Sequence, residues 1–376
     1  MSVKRRGDTG RWEVRWRENG RNRSKSFHLK GDADRWWLEV DRRKRLGTLA
    51  ELTAPDQTLA EFVEEYWKFY AIPRLSVKTR SDYRQVWGKH AHPRLGGLKL
   101  RELSARRMSL FMAELREQGV GEPTILKALT MLQSVFASAV EWGALPTNPV
   151  AGVRNRPRQR PARVARPQPP AQVERLRRYI EHRGAMGAAS ATLISVLAYA
   201  GLRPGEALAL RWSNIADRTI YVTQSLALGS EKATKTGTRR TVSLLAPLAE
   251  DLRRFRRHAD ANDLVFPRPN GGVWQDHDWR NWRRRVFQRA AAAEGCPGAV
   301  PYDLRHSFVS LLIQEGQSIL EVARQAGHSP QTCLRTYAHL FDDFDPAERR
   351  PAEDVIREAR AQADVREKYA VEQAAA

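Results

Sequence analysis

The chain has 376 residues and a formal net charge of +21, from 64 Lys and Arg against 43 Asp and Glu. That length implies two or three domains, and an excess of basic residues in every segment implies a polyanionic partner, nucleic acid first, because solubility alone needs far less charge. With only Cys296 and Cys333 a disulfide framework is excluded. The opening MSVKRRGDTG has no apolar signal region, and the apolar run near residues 193–200 is too short to cross a bilayer. A cytoplasmic protein with no membrane partner is expected.

Residues 1–50 read as a small β-sheet followed by a helix. Trp12, Val14 and Trp16 alternate with Arg11, Glu13, Arg15 and Arg17, the period-2 pattern of a half-buried strand. Asn19-Gly20 supplies a type I′ hairpin turn, and residues 21–29 return as a second strand. A helix over 31–45 follows, with Trp36, Trp37 and Val40 on its buried side. One sheet face is then aromatic, and the other carries Arg11, Arg15 and Arg17. A basic ribbon of this kind enters a DNA major groove; the plainer alternative is a structural cap.

An acidic, Pro-containing connector over 51–57 leads into a helical domain over 56–150. Thr58 and Glu61 form a capping box ahead of Leu59, Phe62, Val63 and Tyr66. Further helices are expected at 76–89, 105–118 and 123–142, the last stopped by Gly143. Leu126, Leu129, Leu132, Val135, Phe136 and Ala139 keep helical spacing and are core. His90 and His92 have no further ligands nearby, so the reading is a turn adjoining DNA and no metal site. Residues 151–170, AGVRNRPRQRPARVARPQPP, form a linker in which repeated prolines prevent helix. Arg154, Arg156, Arg158 and Arg160 in an extended strap suit a run of phosphates, the alternative being a solvated tether.

The last large domain, 171–345, is mixed. Helical patterns cover 171–182 and 188–200, and two β-rich runs, 218–226 and 239–245, flank a polar turn containing Lys235. Helices follow at 247–258, 279–294, 304–315, 319–326 and 330–337, and residues 346–376 form a C-terminal helix or tail.

Four segments of this domain carry chemistry. In GLRPGEALAL, Gly201 ends one helix and Pro204 opens the next, which puts Arg203 at a helix N-terminus where an anion binds, with Glu206 placed to brace it. In EKATKTGTRRTVSL, Lys235 is expected at a hairpin tip, an ammonium on a mobile stem able to donate a proton. In VPYDLRHSFVSLLIQEG, Asp303 precedes a helix that carries Arg305 on its first turn. A cation there is unfavourable unless an anion arrives. Finally, Ser318 and Glu321 cap a short helix ended by Gly327, His328 occupies the turn, and Tyr337 follows nine residues later.

These segments resemble the tyrosine recombinases of the phage integrase family. GLRPGE is similar to the family's first-arginine box, TKTGTRRTVSL to its β-hairpin lysine, YDLRHSF to its second-arginine box, and AGHSPQTCLRTYAHL to the box with the late histidine and the nucleophile. WGALPTNPV resembles the end of the family's core-binding domain. The resemblance implies a multidomain fold, mainly α with small β-sheets: a sheet-and-helix arm-binding domain, a helical SAM-like core-binding domain and a mixed α+β catalytic domain. It implies Arg203, Lys235, Arg305, His328 and Tyr337 as catalytic residues. The family has histidine where this chain has Tyr302. A phenol, titrating near 10, is a poor base at neutral pH, so Tyr302 is expected to hydrogen-bond a phosphate oxygen or orient a neighbour. The implied reaction is cleavage and rejoining of double-stranded DNA at attachment sites through a 3′-phosphotyrosyl link, by a homotetramer with an accessory directionality factor, without metal or cofactor. The alternatives are a nicking-closing enzyme of the type IB topoisomerase kind and a non-catalytic DNA-binding regulator.

Overall fold

A computed structural model describes residues 2–7, 10–18, 21–47, 49, 57–154, 166–227, 229–233, 239–256, 258–342 and 345–375. The expected turn at Asn19-Gly20, the strap arginines Arg156, Arg158 and Arg160, and Lys235 lie outside these residues. The chain divides into two units, residues 1–162 and 163–376.

The first unit opens with a three-stranded antiparallel sheet in the order β1 (Ser2–Arg5), β2 (Trp12–Glu18), β3 (Arg21–Phe27). Helix α1 (Lys30–Arg45) covers one face and closes a core of Val14, Trp16, Ala33 and Val40. Trp36 meets Trp16 and Phe27 at centroid distances of 6.3 and 6.0 Å, and the Lys25 ammonium stands 3.7 Å above its ring. The other face carries Arg11, Arg15 and Arg17, all exposed. Alternation fails in one respect. Glu13, on the polar face, is buried because Arg15 donates to it at 2.9 Å, which also holds its carboxyl below the usual range.

The helical part of this unit has a second core. Helix α2 (Leu59–Tyr66) begins at the Thr58–Glu61 capping box, with Thr58 N–H donating to Glu61 at 2.8 Å. It does not stop where a regular helix would. A π-helical stretch, Trp67–Ala71, carries it into a last turn at Ile72–Arg74. Helix α3 (Val77–Val86) repeats the device with Trp87–Ala91 and His92–Leu95. The sequence explains both: WKFYAIPRL and WGKHAHPRL share Trp, Ala, Pro, Arg and Leu in register. Each proline lacks an N–H and its ring crowds the carbonyl four residues back, so the helix widens by one residue there. Ile72 and His92 accordingly donate five residues back, to Trp67 and Trp87. His90 and His92 therefore lie in a widened helix and its last turn, not in the expected turn. Helices α4 (Ala105–Glu117) and α5 (Glu122–Glu141) complete this core. By length and composition α5 would also cross a membrane, but half of its most apolar stretch is buried, including Leu129, Leu132, Val135 and Phe136.

The second unit is built around α7 (Gly187–Tyr199), apolar on all sides and buried from Ser190 to Tyr199. It packs on α6 (Pro170–Glu181), on α9 (Ala246–Phe255) and on α11 (Pro301–Gln314). A single-turn helix, α8 (Pro204–Leu208), follows α7. The β-rich region is not the single hairpin expected. Strand β4 (Thr219–Val222) pairs with β7 (Arg240–Ser243), Val222 opposite Arg240, and a second hairpin of β5 (Gln224–Ala227) and β6 (Ser230–Ala233) is inserted between them. The tip of that inner hairpin is near Gly229, and the tip expected at Lys235 lies outside the described residues. Sequence periodicity could not separate the two hairpins, because Thr223 alone divides β4 from β5. Helix α10 (Asp276–Trp282) precedes α11, and α12 (Ile319–Ala326) and α13 (Pro330–Asp342) follow it.

The C-terminal segment forms α14 (Ala352–Ala375), which returns to α6 and α9. Ala352, Ile356 and Ala359 are buried, and a charged network fixes the contact. Arg360 donates to Asp251 at 2.6 Å and to the Pro247 carbonyl at 3.0 Å. Asp251 and Glu174 share Arg177, and the Tyr199 hydroxyl donates to Glu174 at 2.6 Å. Glu174 and Asp251 are both buried, so removing one cation leaves two carboxylates on one arginine. Arg360→Ala is expected to lower stability by about 3 kcal/mol, read from urea unfolding; an unchanged midpoint would contradict the network's role.

Candidate active site

The site is assembled by helix ends. Helix α7 runs out at Tyr199, and Gly201 turns the chain with φ +59°. A Cβ there would sit 2.2 Å from the Phe308 ring, so only glycine fits both the conformation and the space. Helix α12 ends on Gly327, again left-handed at φ +62°. Carbonyls at such helix ends lack intrahelical donors and carry the negative end of the dipole, which suits a cation.

Arg305 is that cation. It is fully buried in α11, and its Nη1 and Nη2 donate to the carbonyls of Gly201 and Ala326. Helix α11 starts at Pro301, earlier than the sequence suggested, which moves Arg305 past the first turn. The expected conflict with the helix dipole is therefore absent. The physical reason is Pro301 itself, pre-organised for a first helical position, with Asp303 accepting the Val300 N–H at 2.9 Å. Burial, and then the like charge of Arg203, pull the Arg305 guanidinium down to about 10, so it stays charged at neutral pH.

Arg203 donates from Nη1 to Glu206 at 2.8 Å and from Nη2 to the Gly327 carbonyl at 2.6 Å. Its backbone N–H donates to Glu206 at 2.8 Å. Glu206 also receives both Nη groups of Arg240, at 2.9 and 2.6 Å. Burial alone would raise the Glu206 carboxyl, but the hydrogen bonds and charges of Arg240 and Arg203 hold it down at about 2. Sequence reasoning missed Arg240. Its neighbour Lys235 drew attention to that stretch, but only the β4–β7 pairing brings Arg240 back to Glu206.

His328 follows Gly327 directly. Arg305 Nη2 lies 3.0 Å from its Nε2, and a guanidinium can only donate, so Nε2 accepts and the ring proton of the neutral imidazole sits on Nδ1. Burial, then the Arg305 and Arg203 charges, depress the imidazole to about 3. Nδ1 of His328 and Nε of Arg305 are both buried without a hydrogen-bond partner. Two unpaired donors beside three guanidinium groups make a receptor for an anion with several oxygens.

Tyr337, two turns into α13, is fully buried, its ring stacked 6.2 Å from that of His328. Burial pushes its phenol above the ordinary 10, and Arg305 offsets part of that rise. Its hydroxyl lies 2.6 Å from Nδ1 of His306, a residue sequence reasoning overlooked. One signal was available: His306 stands four residues after Tyr302 and next to Arg305, hence on the same side of α11. Tyr302 itself is 40 % exposed and sets its ring against His306 at 5.2 Å, edge to face. Arg203, Arg305, His328 and Tyr337 are thus brought together; Tyr302 stands at the margin. An open groove of about 710 Å³ alongside is lined by Tyr221, Arg239, Arg240, Arg324 and His328 among others. A larger cavity of about 980 Å³ borders Arg177 and Trp212 and includes none of the four. In the first unit, Arg11, Arg15, Arg17 and Arg154 are exposed.

The depressed His328 imidazole has a measurable consequence. Below pH 6.5 the unfolded chain takes up a proton at His328 that the folded chain refuses until about pH 3. Stability from this group is complete above pH 6.5 and falls by up to about 1.4 kcal/mol per pH unit across that window. The stability difference between the wild type and His328→Asn should therefore shrink as pH falls from 6.5, in denaturant titrations without DNA. A difference independent of pH would contradict it.

Residues 169–343 match the model of the phage integrase family. The chain is 26 % identical over 297 residues to an integrase of Streptomyces ambofaciens, covering 72 % of this chain and 73 % of that one. It is 26 % identical to the tyrosine recombinase XerC of Xanthomonas axonopodis pv. citri, over 61 % of this chain and 72 % of the relative. The fold resembles that of the Tn1549 transposon integrase in complex with a circular intermediate DNA, at a TM-score of 0.64 and 18 % identity over 75 % of this chain and 95 % of the other. It also resembles a lambda integrase tetramer bound to a Holliday junction, at a TM-score of 0.58 and 15 % identity over 88 % and 94 % of the two chains. Residues 169–343 thus carry the domain of the phage integrase family, and the relatives the chain matches are integrases and tyrosine recombinases.

Proposed function

We propose that this recombinase cuts and rejoins DNA at specific sites with Tyr337 as its nucleophile, in the integration or excision of a mobile element. The supporting observation is the pair of buried, unpaired donors, Arg305 Nε and His328 Nδ1, beside the Tyr337 hydroxyl's own cluster. Tyr337 Oη attacks the phosphorus in line, leaving a 3′-phosphotyrosyl link and a free 5′-hydroxyl. Arg203 and Arg305 bear on the non-bridging oxygens as charge grows, and His328 Nδ1 donates a further hydrogen bond. Glu206, neutralised by Arg203 and Arg240, keeps those cations in place. Lys235 is the proton donor to the departing 5′-oxygen. A 5′-hydroxyl from a second strand then reverses the step, one ester replacing another, so no ATP is consumed.

Strand exchange between two duplexes requires several cuts in sequence. We read the working form as a tetramer on DNA, by analogy with the lambda integrase tetramer bound to a Holliday junction, acting in the cytoplasm with a directionality factor as accessory. The exposed Arg11, Arg15 and Arg17 serve a second DNA segment, and Arg154, Arg156, Arg158 and Arg160 serve phosphates near the core site. Tyr302, exposed at the rim, hydrogen-bonds a phosphate oxygen or orients His306.

A nicked suicide duplex that traps the covalent intermediate tests this reading. The wild type should form an adduct that Tyr337→Phe does not, and Arg203→Ala should slow its formation by about 10²–10³. An adduct that survives Tyr337→Phe would show another nucleophile. Tyr302→Phe should cost no more than about tenfold, the worth of one hydrogen bond, and Tyr302→His should remain active; an inactive His variant would contradict the marginal role of this position.

A further inference from the structure

The hydroxyl required for attack is held in the structure by a group with no role so far. Tyr337 Oη lies 2.6 Å from His306 Nδ1, with the rings 5.5 Å apart and inclined at 60°. Tyr337 is fully buried and His306 is 9 % exposed, so bulk water does not reach the contact freely. On its other side the imidazole meets the edge of Tyr302 at 5.2 Å, which limits how far it can turn. His306 is also rigidly carried: it sits mid-way along α11, next to Arg305, whose guanidinium is tied to two helix ends.

Forming a bond from Oη to phosphorus requires the phenolic proton to leave. A buried phenol does not surrender it unaided at neutral pH, and the cations nearby can only donate. Among the described residues, the hydrogen-bond partner of Oη is His306 Nδ1. Geometry and chemistry thus select the same atom. General base catalysis asks for a group within hydrogen-bond reach of the proton it removes, and imidazole is the usual one.

We propose that His306 is the catalytic base for Tyr337. Nδ1 accepts the phenolic proton as the Oη–P bond forms and the P–O5′ bond breaks. The leaving 5′-oxygen takes its proton from a separate acid, the role given above to Lys235. In rejoining, the incoming 5′-hydroxyl loses its proton to that acid's conjugate base, the Oη–P bond breaks, and His306 returns its proton to Oη. The assignment rests on Tyr337 as nucleophile, and it places acid and base on opposite sides of phosphorus.

The test measures adduct formation on nicked duplexes whose scissile 5′-bridging atom is either oxygen or sulfur, since a departing thiolate needs no proton. His306→Ala should slow cleavage by about 10²-fold or more, with DNA binding retained, and the sulfur substrate should not restore it, whereas it should restore Lys235→Ala. Replacing Tyr337 by a difluorotyrosine, a more acidic phenol, should speed His306→Ala at least about tenfold more than it changes the wild type. His306→Asn, which keeps a hydrogen-bonding oxygen near the Nδ1 position without its basicity, should fold, bind DNA and stay slow; it carries the test if the Ala variant does not fold. Wild-type rates in either variant, rescue of His306→Ala by sulfur, or no selective gain from fluorination would overturn the proposal. A wild type that forms no adduct at all would instead defeat the nucleophile assignment on which it rests.

Discussion

The buried guanidinium of Arg305 is the constraint around which the second unit is arranged. Removing a charge from water costs several kcal/mol even after relaxation, and here it is offset by carbonyls at two helix ends, those of Gly201 and Ala326. Those carbonyls can face Arg305 only because the chain turns sharply after α7 and after α12, and both turns use a left-handed glycine. The same turns deliver the other groups. Arg203 lies two residues past Gly201 and reaches the Gly327 carbonyl, and His328 lies one residue past Gly327 and meets Arg305. Fold and site are therefore one problem here: whatever ends α7 and α12 also positions the chemistry.

The cluster is charged beyond its own needs. Three guanidinium groups, Arg203, Arg240 and Arg305, face one carboxylate, Glu206. Burial, and then the repulsion of these cations, lower the Arg305 guanidinium and keep His328 neutral. A phosphodiester between them would relieve the excess positive charge and pair the two orphaned donors. This is ground prepared for charge that builds up in a transition state: the donors are fixed in advance, in a place from which water is largely excluded. The proposed nucleophile is treated differently. Tyr337 is kept protonated by burial and held by His306, so its activation is separated from the recognition of the phosphate.

Much of this was legible in the sequence, for a definable reason. Arg203, Arg305 and His328 each stand beside a glycine or proline that punctuates a helix, and such residues mark local geometry that needs no tertiary knowledge. The sheet of the first unit and the Thr58 cap were readable on the same grounds, from alternation and from a local hydrogen bond. What escaped depends on contacts between distant segments. Arg240 looks like one arginine among many until β7 pairs with β4, and His306 looks like a core histidine until α13 brings Tyr337 beside it. The inner hairpin of β5 and β6 was hidden because two short strands in sequence give the same pattern as one long one. The dipole argument for Arg305 failed over a helix start misplaced by three residues, although Pro301 was there to mark it.

Arg305 Nε and His328 Nδ1 are buried and unpaired where the proposed mechanism puts the oxygens of a scissile phosphate. The most direct measurement is an experimental structure of the Tyr337→Phe protein on a duplex carrying its attachment site. The expected result is a phosphate with non-bridging oxygens within hydrogen-bond distance of both atoms and of Arg203, while the carbonyls of Gly201 and Ala326 still hold Arg305. A phosphate bound elsewhere, with these two donors still unpaired, would contradict it.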